Sequence, residues 1–363
     1  MEKKNVLIIA ANGMGNSGVP NVFMQIVRNL SNEYNFDILL TREDYYYRDE
    51  FLSFGGQIFL SKEKNFKNKF KRIIWRLIGS RCQVKKALKE IFKRKEYSIV
   101  HSFKESESGI YLKIAKKYGI NRRIVHNNRQ KENFSNFLLN LYQKRMISKT
   151  IKYSTNNISV SKLSGDSFFK DKQYRVVYNA INLDKYYFRD SVESSKLNLL
   201  QIGTFLPLKN QIFSLEVIKI LHDKYPNLTA SFIGSIYDNN YYEKFVSLVE
   251  KFKLQNNVHI YDGNKEQSTF LDNATITMMP STSEGLGLTI IESQACGITV
   301  FASSTITKEV DLGNVRYLDL DANRWAEEID RYFLAHKNKR HQVDVSKFSS
   351  DAFSKAIRAI YSE

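Results

Sequence analysis

Cysteine is almost missing from this sequence. The 363 residues include two, Cys82 and Cys296, far apart and outside any Cys-x-x-Cys pattern, which argues against a disulfide framework or a thiolate metal site and suits a reducing cytoplasm. Proline is nearly as scarce, at 4 residues, while 42% of the chain is apolar, so substantial cores are expected and no disordered tail. No apolar run approaches the roughly 18 residues that span a bilayer. The opening "NVLIIAA" is too short for the core and cleavage site of a signal sequence and reads as a first strand. Acidic residues are also in deficit: 38 Asp and Glu face 55 Lys and Arg, a net charge of +17.

That charge is unevenly spread. Between Lys62 and Lys95 fourteen Lys and Arg stand against Glu63 and Glu90. Within this stretch "NFKNKFKRIIWRLIG" sets Phe66, Phe70, Ile73, Ile74 and Leu77 at helical spacing, with Lys67, Lys69, Lys71, Arg72 and Arg76 between them. Residues 62–95 therefore suit an anionic membrane surface, although a buried helix face with a solvated basic side has the same pattern. Nucleic acid is not expected, because no zinc pattern, RNP sequence or helix-turn-helix accompanies the charge.

Strand-like and helical runs alternate along the whole chain. "NVLIIA", "FDILL", "SIVHS", "RIVH", "NISV" and "YRVVY" mark a first series, with helices such as "PNVFMQIVRNLSNEY" and "SGIYLKIAKKYG" between them. "KLNLLQIG" restarts the pattern, followed by "LTASFIG", "NVHIYDG", "ATITMM", "GITVFA" and "VRYLDL". Such alternation predicts α/β architecture, two doubly wound Rossmann-like domains whose parallel sheets face a cleft. The polar stretch "YFRDSVESSK" is the linker candidate. The expected division is 1–185, 186–345 and a terminal helix over 346–363 that returns to the first domain.

Several stretches could carry chemistry. "GMGNSG" at 13–18 matches G-x-G-x-x-G, but Ala11 and Asn12 part it from the strand, and the acid expected about 20 residues on is missing, since Glu43 comes later. NAD binding is thus a weak alternative, although Gly15 and Gly18 still offer bare backbone N–H groups to a phosphate or sugar oxygen. In "IGTFLPLKNQIFSLEVIKIL", Lys209 stands at a helix start, where a cation opposes the dipole. It is either solvated or part of an anion site for a diphosphate. "PSTSEGLGLTIIESQACG" places Glu284 in a glycine turn and Glu292 about one turn into a helix stopped by Gly297. Either glutamate alone could be a solvated carboxylate. With Lys209 they make a nucleotide-sugar site: the lysine for phosphates, Glu292 for two ribose hydroxyls, and the Gly285 and Gly287 backbone for close approach to a sugar.

Here the chain resembles the retaining family-4 glycosyltransferases of the GT-B fold, in particular the branch that builds bacterial exopolysaccharide, capsule and lipopolysaccharide. "PSTSEGLGLTIIESQACG" resembles that family's E-x7-E signature, and "VVYNAINLDKYYF" its domain-closing segment, with Ala180 and Asn182 replacing the usual residues. "IVHSF", "RRIVHNN" and "SSTITKEV" are similar as well. The resemblance implies a UDP-sugar donor, a lipid-linked or oligosaccharide acceptor, a peripheral position on the inner face of the cell membrane, and no metal. It implies that Glu292 holds the ribose, that Glu284 sits by the donor sugar, and that Lys209 neutralises the leaving diphosphate. Gly203, Thr204, Gly285, Leu286, Gly287 and Leu288 would line the donor, and His126 and His101 would end strands near sugar or acceptor, unless they are structural histidines.

One departure matters. Thr204 stands where the family usually has an arginine, so one of two phosphate cations is missing. Either Lys209 and the backbone suffice, or turnover is slow, or the chain is a non-enzymatic GT-B partner or glycan-binding protein. Arg129 is the candidate replacement. "DLD" at 319–321 mimics an Asp-x-Asp metal motif but falls at a strand end and is expected to face solvent.

Overall fold

The structure is a computed structural model that describes residues 3–10, 13–15, 18–61, 80–131, 135–190, 196–336 and 339–363. The basic segment from Phe66 to Leu77, expected to form an amphipathic helix, lies outside the described residues. The chain divides into two compact units, Met1–Ala180 with Ser350–Glu363, and Ile181–Ser349.

In the first unit, strands β1 (Lys4–Ile9), β2 (Tyr34–Leu40), β3 (Ile58–Leu60), β4 (Ile99–Ser102), β5 (Arg122–Asn127), β6 (Asn156–Ser159) and β7 (Arg175–Val176) form one parallel sheet. Their order is β3-β2-β1-β4-β5-β6-β7. Helices α1 (Gly18–Leu30), α2 (Arg48–Ser53), α3 (Ser80–Arg94), α4 (Ser108–Lys117), α5 (Phe137–Tyr153) and α6 (Lys162–Phe169) connect the strands, and α12 (Ser350–Ser362) arrives from the end of the chain. The sequence reading has no strand at β3, because three residues carry no periodicity.

The unbroken apolar run of β1 follows from its place in a sheet covered on both faces. Val6 and Ile8 join a core with Phe23, Ile26, Val27 and Ile357. Leu7 and Ile9 join a separate core with Leu88, Leu112, Ala115 and Ile147. α12 places Phe353, Ile357 and Ile360 on one helical face in the first of these cores. Its Arg358 guanidinium donates to both carboxylate oxygens of Glu33, and its buried Tyr361 hydroxyl lies 2.8 Å from His101 Nδ1.

In the second unit, β8 (Asn198–Ile202), β9 (Thr229–Ile233), β10 (Val258–Tyr261), β11 (Ile276–Met279), β12 (Thr299–Ser303) and β13 (Val315–Leu318) form a parallel sheet in the order β10-β9-β8-β11-β12-β13. It carries α7 (Gln211–Lys224), α8 (Asn239–Lys251), α9 (Ser268–Leu271), α10 (Leu288–Ala295) and α11 (Ala322–His336). Phe213, Leu215, Phe245, Trp325 and Ile329 from these helices share one core with Leu199, Phe232 and Phe301 of the sheet. Two doubly wound, parallel α/β units are thus observed, as the alternation predicts.

One glycine is fixed by close approach. A Cβ at Gly234, just past β9, would lie 2.0 Å from the carbonyl oxygen of Gly203 and 2.6 Å from its carbonyl carbon, backbone atoms that cannot rotate aside. Gly234→Ala is expected to lower stability by about 1–3 kcal/mol, the overpacking range. Gly18→Ala, whose Cβ would meet nothing within 4 Å, is the control in thermal unfolding. Equal losses in the two variants would refute the steric argument.

Candidate active site

Strand β8 pairs with β9 on one side and β11 on the other. The chain order reverses there, and in parallel α/β sheets the loops leaving such a switch point at the strand C-termini open a crevice. Those two loops carry Lys209 and Glu284. Lys209 ends a short 3₁₀ turn, Pro207–Lys209, and Asn210 then adopts a left-handed conformation, φ 55°, before α7 begins at Gln211. Asparagine tolerates this region better than most side chains. The turn sets Lys209 Nζ 2.6 Å from Glu284 Oε1, with the side chains 20% and 10% exposed. The carboxylate offsets the unfavourable position of a cation near a helix start.

Buried amides hold this geometry. Gln201 donates from Nε2 to the Lys209 carbonyl at 2.7 Å and accepts from Ser214 Oγ at 2.7 Å. Gln211 donates to the carbonyls of Gly203 and Thr204 at 3.2 and 3.0 Å. The Thr282 N–H donates to the Leu208 carbonyl at 2.9 Å, joining the two loops directly. The sequence reading missed Gln201, Gln211 and Thr282, because nothing in their spacing distinguishes a supporting amide or hydroxyl from a surface one.

The segment after Glu284 folds as its glycines require. Gly287, at φ 91°, precedes α10 without a capping side chain, and Gly297, at φ 82°, follows it. Leu286 is buried, whereas Gly285 and Leu288 are half-buried. The first N–H groups of α10 are therefore uncapped by its N-cap residue, an arrangement that suits an oxygen-rich ligand.

Glu292 lies one turn into α10 and is also half-buried. Burial pushes its carboxyl up to about 7, the nearby Glu266 carboxylate adds to the rise, and a hydrogen bond from the Tyr186 hydroxyl opposes it. Glu266 is itself held low, chiefly by Lys185, whose Nζ lies 2.7 Å away. Tyr186 is raised by burial and then by the two carboxylates. A carboxyl poised near neutrality is a candidate binding group on physical grounds. Glu266 carried no motif, and Tyr186, although inside the segment "VVYNAINLDKYYF", was given no role from the sequence.

The remaining candidates belong to the first unit. Gly13 and Gly15 are packed against Asp44: an added Cβ at Gly15 would lie 2.0 Å from Asp44 Oδ2, and the Met14 N–H donates to the Asp44 carbonyl at 2.6 Å. A carboxylate against this loop repels phosphate and can accept from hydroxyls, which favours a sugar over a pyrophosphate. Gly18 opens α1. Arg129 is paired through Nε with Glu105 Oε2 at 2.6 Å. His126 has no exposed surface, and its ring stacks on Phe103 and His101 at centroid distances of 5.0 and 5.4 Å. Neither of its ring nitrogens has a hydrogen-bond partner among the described residues. Burial pushes His126 down to about 3 and His101 well below its usual value, so both rings are neutral.

Among the described residues no group of three or more His, Cys, Asp or Glu is disposed to hold a metal ion. In "DLD", Asp319 Oδ1 accepts from Ser304 Oγ at 2.5 Å, and Asp321 Oδ1 accepts from the Arg324 N–H at 3.0 Å near the start of α11.

Residues 186–311, which include Lys209, Glu284 and Glu292, match the family model for glycosyl transferases group 1. The capsular polysaccharide biosynthesis glycosyltransferase CapH of Staphylococcus aureus is 22% identical over 75% of this chain and 79% of its own length. EpsF of Bacillus subtilis, provisionally named a glycosyltransferase, is 24% identical over 94% of this chain and 91% of its own. The crystal structure of Anabaena HepE in complex with UDP-glucose superposes with a TM-score of 0.78 at 13% identity, covering 99% of both chains. This chain therefore has the GT-B fold of two Rossmann-like units and is related in sequence to bacterial glycosyltransferases of capsule synthesis.

Proposed function

We propose that this chain is a retaining glycosyltransferase that moves a sugar from a UDP-sugar to a lipid-linked glycan in bacterial surface polysaccharide synthesis, at the inner face of the cell membrane. The observation that carries the reading is the Lys209–Glu284 pair on the two loops of the β8/β11 switch point, with Glu292 one helical turn beyond. An ammonium has three donors, so Lys209 can keep Glu284 and still take an oxygen of the diphosphate. Glu292 would take the ribose hydroxyls, and Glu284 and the backbone of 285–288 the sugar. The anomeric C–O bond to phosphate breaks while the acceptor oxygen bonds on the same face, and the acceptor proton passes to the departing phosphate. The chain's share is positioning and stabilisation of the leaving charge. The UDP-sugar donor is supported by the UDP-glucose named for HepE, and surface polysaccharide by the name of CapH. Retention rests on the resemblance of the Glu284–Glu292 segment.

The test is incubation of the purified chain with membranes of the producing organism and a panel of radiolabelled UDP-sugars, followed by the anomeric configuration of the product. Transfer with inversion would overturn retention. UDP binding without any transfer would favour a non-enzymatic binder, the reading that Thr204 motivates.

The two glutamates are expected to fail differently. Glu292→Ala should weaken UDP by about 1–3 kcal/mol, the range for losing a charged hydrogen-bond partner. Glu284→Ala should leave UDP affinity unchanged or slightly higher, because it releases Lys209, and should impair binding or transfer of the sugar. Calorimetry with UDP decides this, and equal losses in the two variants would show the roles to be wrongly assigned.

A further inference from the structure

The first turn of α5 leaves three large apolar side chains exposed. Phe137, Leu138 and Leu139 are 75%, 70% and 49% exposed. The helix nevertheless starts cleanly, since the Asn136 side-chain oxygen accepts from the N–H groups of Leu138 and Leu139 at 2.8 and 3.3 Å. Packing begins later, and the buried residues of the helix are Met146, Ile147 and Thr150.

The exposed side is graded along its length. Residues seven apart share a stripe on a helix, which places Lys144 behind Phe137 and Arg145 behind Leu138, opposite the buried face. Both cations are exposed, and neither pairs with a carboxylate among the described residues. At about 1.5 Å per residue they lie roughly 10 Å behind the apolar tip. The helix contains Lys144, Arg145, Lys149 and Lys152 and no acidic residue.

This grading selects the occupant. Three consecutive helical residues fan through about 200°, a spread that a fluid apolar layer meets on all sides. The separation of tip and cations matches the depth of about 5–10 Å by which interfacial helices bury their apolar side, and long basic side chains reach back to phosphates from there. A second copy of the chain would bring the same exposed cations against each other.

We propose that the first two turns of α5 are a membrane-insertion tip, in which Phe137, Leu138 and Leu139 enter the acyl boundary of an anionic phospholipid bilayer while Lys144 and Arg145 meet its headgroups. This element is distinct from residues 62–95, and the proposal is independent of the transfer reaction.

The test uses the full chain with vesicles of phosphatidylglycerol and phosphatidylcholine. Cys82 is exposed and Cys296 buried, so Leu138→Cys in a Cys82→Ser background takes a single environment-sensitive fluorophore. Its emission should shift to the blue on vesicle binding and be quenched by brominated acyl chains. Replacing Phe137, Leu138 and Leu139 together by serine should weaken vesicle binding about 100-fold. Lys144→Gln with Arg145→Gln should cost about fivefold per cation on anionic vesicles and nothing on pure phosphatidylcholine. A bound protein whose probe is not quenched, a triple variant that binds as well as the parent, or a parent that ignores anionic vesicles would overturn the proposal. So would a lipid-free dimer that the triple variant dissolves, which would assign the tip to self-association.

Discussion

Lys209→Ala is expected to lower turnover by about 10²- to 10³-fold, the scale for one preorganised group that meets charge developing in a transition state. The variant also removes the Lys209 ammonium from beside Glu284, whose side chain is 10% exposed. Removing one partner of a largely buried pair is destabilising in its own right, so lost activity could reflect a disturbed loop rather than a lost charge. The double variant Lys209→Ala with Glu284→Gln separates the two causes. It should recover the melting temperature, because the largely buried charge is removed with the carboxylate, and its affinity for UDP, in which Glu284 has no part, should stay as weak as that of Lys209→Ala. Recovered UDP affinity in the double variant, or a loss of turnover below threefold in the single one, would remove Lys209 from the leaving-group role.

The Lys209–Glu284 contact shows where sequence reasoning reaches and where it stops. The alternation of β-runs and helical runs was enough for two parallel sheets, because strands covered on both faces must be apolar throughout and their crossovers must be helical. The glycines at 287 and 297 were legible for a local reason, since both adopt positive φ. That Lys209 and Glu284 would meet at 2.6 Å was not legible, as the two residues stand 75 apart in the sequence and come together once β8 pairs with β11. Gln201 and Tyr186 were invisible for a similar reason: each acts through a contact whose partner is remote in sequence, Gln201 on Ser214 and Tyr186 on Glu292. His126 was placed correctly at the end of a strand, but its burial against Phe103 and His101 depends on the pairing of β5 with β4 and on the residue that follows β4.

UDP affinity is expected to fall steeply in mild acid, by about 100-fold between pH 8 and pH 5, through Glu292. Its carboxyl is pushed up to about 7 by burial first and by Glu266 second, so near neutrality it is divided between acid and carboxylate. Two ribose hydroxyls that both donate require the ionised form, because a protonated carboxyl gives up part of its accepting capacity. Binding must therefore expel the proton below pH 7, which weakens affinity about tenfold per unit. The phosphate of UDP also titrates near 6, so the diagnostic quantity is the difference between the parent and Glu292→Gln. Glutamine cannot ionise, and its affinity should be weaker at pH 8 and lack this slope. Stability should run the opposite way. A carboxyl raised in the folded state favours folding at low pH and loses that advantage as pH rises through 7, so Glu292→Gln should melt higher than the parent at pH 8 but not at pH 4. Glu266→Gln removes the second cause of the rise and should move the midpoint of the affinity profile downward. A parent profile that parallels Glu292→Gln from pH 5 to pH 8 would mean that Glu292 does not hold the ribose.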